Sequence, residues 1–419
     1  MGSVDRLLEA LESGYGEPLR DPLWGHIYLS QELRALLGTA PFARLTRIRQ
    51  LGPASLVYPG ATHSRYAHSL GVYHVARAML LSILRREGAG IFTPEGLRSF
   101  LAAALMHDLG HFPYTHSLKE LPLEEHEVLT ARIIAGPSLR QVIAATGADP
   151  DRAAAIVDHG LPADDETRTY RSILSGVLDP DKLDYLSRDA YYCGVPYGLQ
   201  DLDFVLSRIR QDGPRGIGID SKGVPSIEHI LFSKYLMYRS VYWHRDVRAA
   251  TSMVKKALAS ALASGRLAAE ELYALDDESL RGLVARMGPS DGELLGSVLE
   301  GRLLPCRAEI PYDPGQPSLA GLESLDARTK AETRIEEALA AGAPRGLMPR
   351  VVIDLPEAVS FDSDVRVTDL DRDFRDVSSL FTRRTVSTFT GALRVMRVFA
   401  SENIPESLLP MPARIEHAD

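Results

Sequence analysis

The stretch Leu97-Arg-Ser-Phe-Leu-Ala-Ala-Ala-Leu-Met-His-Asp-Leu-Gly-His-Phe-Pro-Tyr-Thr-His116 decides how this chain is read. Its first ten residues are apolar nearly all round, the pattern of a helix at the centre of a bundle. Gly110 and Pro113 then stop the helix just past its charged tip. A His-Asp pair therefore sits at a buried helix end. Three histidines and an aspartate fall within positions 107–116, in a chain of 419 residues that holds 12 histidines. Adjacent imidazole and carboxylate groups at a helix end can reach one metal ion, because imidazole suits transition metals and a carboxylate can bridge two ions. Two more ligands must come from elsewhere. His68, in Arg65-Tyr-Ala-His-Ser-Leu-Gly71, offers a nitrogen, and Leu178-Asp-Pro-Asp-Lys-Leu-Asp-Tyr-Leu-Ser-Arg-Asp189 offers an acid.

Outward from this cluster, Val72, Val75, Ala76, Met79 and Ile83 recur at helical steps and predict an amphipathic helix over 70–84. Further helices are expected at 124–134, 153–159, 181–190, 201–209, 227–256, 268–286 and 325–341. The segment 305–317 is proline-rich, and 351–355, 365–370 and 392–400 carry the β-branched alternation of half-buried strands. The expected fold is mainly α, a helical bundle with a small C-terminal α+β unit. Its expected units are a catalytic helical domain over 1–260, a helical extension over 261–345 and the α+β unit over 346–419. The only cysteines, Cys193 and Cys306, lie far apart and outside any paired-cysteine metal motif. A formal charge of −9 argues against broad affinity for duplex DNA, which needs a basic surface, while leaving room for a local basic pocket. No apolar run approaches the length of a membrane span and the first residues are charged, so a cytoplasmic location is expected.

Over residues 21–256 the sequence resembles the HD-domain phosphohydrolases, and among them the deoxynucleoside triphosphate triphosphohydrolases of the SAM-and-HD-domain type and their bacterial relatives. The matching words are Asp21-Pro-Leu-Trp-Gly-His, Arg47-Ile-Arg-Gln-Leu-Gly, Tyr58-Pro-Gly-Ala-Thr-His-Ser-Arg-Tyr-Ala-His-Ser-Leu-Gly and Asp181-Lys-Leu-Asp-Tyr-Leu-Ser-Arg-Asp. The resemblance implies metal ligands at His68, His107, Asp108 and Asp181. The cofactor would be a divalent transition metal (manganese, iron, zinc or nickel), magnesium, or both. It implies water attack on a metal-polarised phosphate ester, with His111, His116 and His126 neutralising phosphate charge or protonating the leaving oxygen. His126 is the expected proton donor, kept protonated by a neighbouring carboxylate in Glu124-Glu-His-Glu127. Where the family often carries an acid three residues past His116, this chain has Lys119, which leaves Glu120 as the candidate orienting carboxylate.

The resemblance further implies Arg65, Lys182 and Lys234 on the triphosphate, the last standing where the family has an arginine. It implies Gln50 and Asp189 on the sugar 3′-hydroxyl, Leu51 beside the 2′ carbon, and Tyr185 and Tyr242 packed on the ring. Tyr238 replaces a family histidine. As an alternative, Arg65 and Lys182 pair with Asp184 or Asp189. Gly38, Ala43 and Thr46 stand where the animal enzymes read an activating guanine nucleotide, so activity without GTP is expected. The expected partners are a deoxynucleoside triphosphate and further copies of this chain. The alternative function is a related HD phosphohydrolase acting on mono- or diphosphates or another phosphoester. A second alternative is a nucleotide- or nucleic-acid-binding protein with a vestigial site. His63, His74, His159 and His229 are expected to be ordinary surface or hydrogen-bonded core residues.

Overall fold

The computed structural model describes residues 3–176, 178–342 and 348–409. Its central feature is the helix Pro94–Met106, whose last five residues, Ala102 to Met106, are fully buried. Thr93 caps it through its hydroxyl, and Pro94 occupies the first turn, where a missing N–H costs nothing. It packs against Arg65–Glu87 on one side and Pro150–Val157 on another, and Arg65–Glu87 in turn packs against Pro180–Cys193. Each of those partner helices starts on its own side-chain cap: Ser64, Asp149 and Asp179. The ends of three buried helices are thus brought to one place. Among the described residues no helix is long and apolar enough to cross a membrane.

The single helix expected over 227–256 is broken. Val224–Met237 leads into a π-turn, Tyr238–Tyr242, before Arg245–Ala263 begins on a His244 cap. The wider turn is closed by the Trp243 amide donating to the Tyr238 carbonyl at 2.9 Å. Tyr238 and Tyr242 thereby come within 5.1 Å of each other, ring to ring. The stretch expected as a helix over 268–286 is instead the short pieces Ala269–Tyr273, Asp277–Leu280 and Arg281–Leu283. Asp276 caps the middle one in a reciprocal box with Ser279 and so restarts the chain.

The boundaries expected at 260 and 345 are crossed by structure. Arg245–Ala263 runs through the first. Cys306–Pro311 pairs antiparallel with Val395–Ala400, which also pairs with Val351–Asp354, giving one three-stranded sheet across the second. A further strand, Arg366–Val367, joins Ile217–Ile219 in a four-stranded sheet shared with the helical part. Of the third expected unit, 346–347 and 410–419 lie outside the described residues.

Candidate metal centre

Helix geometry sets the cluster. His68 sits in the first turn of Arg65–Glu87, His107 and Asp108 follow directly on Pro94–Met106, and Asp181 lies in the first turn of Pro180–Cys193. His68 Nε2 is 2.9 Å from Asp181 Oδ1 and 3.9 Å from Asp108 Oδ2; His107 Nε2 is 3.2 Å from Asp108 Oδ1 and 3.8 Å from Asp181 Oδ1. Both imidazoles are aimed by their other nitrogen. His68 Nδ1 meets Asp184 at 2.8 Å, and His107 Nδ1 meets the Ala104 carbonyl at 2.9 Å. That arrangement turns each Nε2 toward the carboxylates of Asp108 and Asp181, where a cation would sit.

The donor set fits a divalent metal on two observations. His107 Nε2 is buried with no hydrogen-bond partner among the described residues, and ligand atoms of His68, His107 and Asp181 lie within 4.8 Å of one another. Burial works against a charged His68, yet its hydrogen bonds to Asp181 and Asp184 raise it to about 10. A proton there does part of what a cation would do. Asp108 is likewise held well below the usual carboxylate range, against burial, by His111, His107 and Arg65. Asp181 keeps 37% of its side chain exposed while Asp108 keeps 4%, so the cluster opens on the Asp181 side.

A second group of histidines adjoins Asp108. His111 Nδ1 is 3.1 Å from Asp108 Oδ1, and His111 Nε2 is 3.1 Å from His116 Nε2. The His126 ring lies 3.9 Å from that of His111. Thr130 pins this turn by accepting from the Gly110 amide and donating to the His107 carbonyl. The expectation that His126 is protonated near neutrality does not hold in the free site. Glu127 is 3.1 Å from its Nδ1, but burial and then the neighbouring His116 push it down to about 3. His111 and His116 are also pushed well below the ordinary value, chiefly by burial. Glu120 is not placed to orient His116: its carboxylate is taken by Lys255 and Arg328.

The remaining candidates line the same helix or face it. Asp181, Tyr185 and Asp189 recur every four residues along Pro180–Cys193, which puts them on one face. The Tyr242 hydroxyl donates to Asp189 at 2.7 Å, and its ring meets Tyr185 edge-on at 6.4 Å. Arg65 and Lys182, expected on the triphosphate, are ion-paired, though not with the Asp184 or Asp189 of the alternative: Arg65 meets Asp108 at 2.8 Å and Lys182 the helix cap Asp179 at 2.6 Å. Lys234 donates to the Ser360 carbonyl and lies over the Phe361 ring. Leu51 is half-buried, and Gln50 has a buried Oε1 without a partner among the described residues. Gly38 closes the helix Gln31–Leu37, Ala43 lies in Ala40–Arg44 and Thr46 in the short turn Leu45–Arg47.

Sequence reasoning passed over the residues that hold the ligands. Asp184 accepts from His68, from Arg188 twice and from Trp24 Nε1, while Arg188 reaches Asp21 at 2.8 Å. The signal lay in the words themselves, since Asp184 and Arg188 are four apart and Asp21 and Trp24 share one word. Gly71 has a role here too: a Cβ at this position would run into the Asp184 carboxylate and stand 2.5 Å from Arg188 Nη2. Gly71→Ala is therefore expected to destabilise the fold by about 1–3 kcal/mol and to lower retained metal, measured by denaturant unfolding and elemental analysis of dialysed protein.

The HD domain family matches residues 65–189, and the HD-associated region matches 208–402. An uncharacterised protein of Bacillus subtilis (strain 168) is 36% identical over 249 residues, covering 57% of this chain and 54% of its own length. The deoxynucleoside triphosphate triphosphohydrolase SAMHD1 of Danio rerio is 24% identical over 391 residues, 77% of this chain and 61% of its own. The chain spans about half the length of the first curated relatives it matches. The crystal structure of a phosphohydrolase from Bacteroides thetaiotaomicron superposes with a TM-score of 0.68 at 22% identity, covering 92% of this chain and 98% of that one. At that identity the likeness speaks for the fold alone.

Proposed function

Because the chain belongs to the HD-domain phosphohydrolase superfamily, we propose that it is a metal-dependent hydrolase that cleaves deoxynucleoside triphosphates to deoxynucleoside and triphosphate. The observation that carries this reading is one helix face, Asp181, Tyr185 and Asp189, running from the metal cluster to a hydrogen-bonded carboxylate and aromatic pair suited to a sugar. His68, His107, Asp108 and Asp181 would hold a divalent ion, which would supply Lewis-acid polarisation of the scissile phosphoryl group. His111 and His116 line up behind Asp108 with one N–H spent on the bond between them, so as neutral rings the pair leaves at most one N–H for a phosphate oxygen. His126 is neutral in the free site. The approach of a triphosphate raises it, so that it takes a proton from solvent and passes it to the departing 5′ oxygen as water adds to the α-phosphorus and the bond to that oxygen breaks. Tyr185 and Tyr242 pack the sugar ring, and an added 2′-hydroxyl is rejected only by contact, so discrimination against ribose is finite. Activity without added GTP follows from Gly38, Ala43 and Thr46, none of which can read a guanine edge through a charged or amide group. The active species is proposed to be a homo-oligomer.

The test is chromatographic product analysis of desalted protein with manganese and each of the four deoxynucleoside triphosphates. Deoxynucleoside with triphosphate supports the reading; an absolute need for GTP removes the activator-free part of it. Hydrolysis confined to a mono- or diphosphate would turn to the second reading. That reading is favoured by Tyr238, which stands where the family has a histidine, and by Glu120, whose carboxylate is committed to Lys255 and Arg328.

Lys234 gives a pH dependence. Burial, then the nearby Lys182, push its amine down to about 8. The cation that attracts phosphate is therefore present below that pH and lost above it. On the triphosphohydrolase reading, kcat/KM falls above about pH 8, up to roughly tenfold per unit, because kcat/KM reports groups of the free enzyme. Lys234→Arg is expected to move that limb beyond pH 10. A limb that stays in place in the arginine variant assigns it to another group.

A further inference from the structure

We infer that His63 is a positioning residue for recognition of the sugar 3′-hydroxyl, holding Asp189 in place from outside the metal cluster; the inference rests on the triphosphohydrolase reading. His63 and Asp189 are 126 residues apart, yet His63 Nε2 meets Asp189 Oδ1 at 2.9 Å, with side chains 0% and 2% exposed. The other carboxylate oxygen accepts from Tyr242 at 2.7 Å. The His63 ring is fixed on its flat side by Tyr192, stacked at 4.5 Å and 24°. Its backbone is fixed as well. The Gln50 amide donates to the His63 carbonyl at 3.0 Å and the Arg65 amide to the Ile48 carbonyl at 2.9 Å, on either side of a bridge between Arg49 and Ser64. One short antiparallel contact thus sets Gln50, His63 and Arg65 together.

A purely structural pair closes its hydrogen bonding, because buried polar atoms left open are costly. This one does not. His63 Nδ1 and Gln50 Oε1 are both buried without a partner among the described residues. Asp189 has about four lone-pair positions, of which His63 and Tyr242 take two. With its Nε2 donating to Asp189, His63 keeps a lone pair at Nδ1, so the open positions are acceptors, and a ligand hydroxyl, which donates once, fits a free lone pair of Asp189. His63 lies five residues before His68, and Asp189 lies eight after Asp181. The pair therefore ties the sugar-facing end of one ligand-bearing helix to the approach of the other, and its loss misplaces the sugar relative to the cluster.

The experiment compares kcat/KM for a deoxynucleoside triphosphate and for its 2′,3′-dideoxy counterpart, in the metal-loaded full chain and its variants. His63→Ala is expected to lower the deoxy-to-dideoxy ratio about tenfold, the scale of one well-placed hydrogen bond. His63→Gln, whose amide can still donate toward Asp189, is expected to recover most of the ratio. If the alanine variant does not fold, His63→Asn against His63→Gln makes the same comparison, since the shorter amide falls short of Asp189. Equal losses on both substrates, with the ratio unaltered, would mean that His63 is a core residue and overturn the inference alone. Absence of turnover on all four deoxynucleoside triphosphates would sink the triphosphohydrolase reading and this inference with it.

Discussion

Asp108→Asn is expected to lower turnover at least about a thousandfold, a loss of roughly 4 kcal/mol of transition-state stabilisation. Asp108 is where three demands meet. Its Oδ1 faces His107 at 3.2 Å and His111 at 3.1 Å, and its Oδ2 takes the Arg65 guanidinium at 2.8 Å. The amide keeps the shape but removes the charge that balances a cation and aligns His111. It also leaves Arg65 buried beside a neutral group, so some stability goes as well. The measurement is product formation by protein of verified metal content, with unfolding followed by circular dichroism. A variant that keeps a tenth of the activity with full metal loading would show that Asp108 is dispensable to the chemistry.

Asp184→Ala acts one layer further out and costs mainly stability. Asp184 is fully buried and accepts from Trp24 Nε1 at 2.6 Å, from Arg188 at 2.8 and 2.9 Å, and from His68 at 2.8 Å. Alanine leaves the buried Arg188 with Asp21 as its remaining acid and leaves His68 free to turn. Breaking a buried pair in this way costs about 3–5 kcal/mol. If His68 holds the metal as proposed, losing the group that orients its imidazole is expected to weaken metal affinity about 10–100-fold. Denaturant unfolding and metal titration check the two parts separately. Unaltered metal affinity in a destabilised variant would reduce Asp184 to a packing role.

Much of the helical core could be read because it is local. The apolar period of 70–84 and the all-round apolar run of 97–106 are written in consecutive residues, and the caps Ser64, Thr93 and Asp179 lie beside the helices they start. The words around His68, His107, Asp108 and Asp181 point to residues that the fold does bring together. What escaped was set at long range or by burial. Nothing in Tyr238-Arg-Ser-Val-Tyr242 announces a π-turn, for it holds neither proline nor glycine. Glu120 looked available because its partners, Lys255 and Arg328, stand 135 and 208 residues away. His126 looked cationic because Glu127 is visible in the sequence while the apolar and imidazole surroundings that outweigh it are not.

The three-stranded sheet carries a consequence for biosynthesis. Its central strand, Val395–Ala400, is the last of the three in the chain, whereas Cys306–Pro311 and Val351–Asp354 form the two outer positions and do not pair with each other. On a ribosome the outer strands emerge first, with their hydrogen-bonding edges unmet until some forty residues after the second of them. Unpaired strand edges invite pairing with other chains. The helices Arg245–Ala263 and Leu325–Ala341 pack on Val351–Asp354. They precede the closing strand, so they can cover that edge strand during the wait.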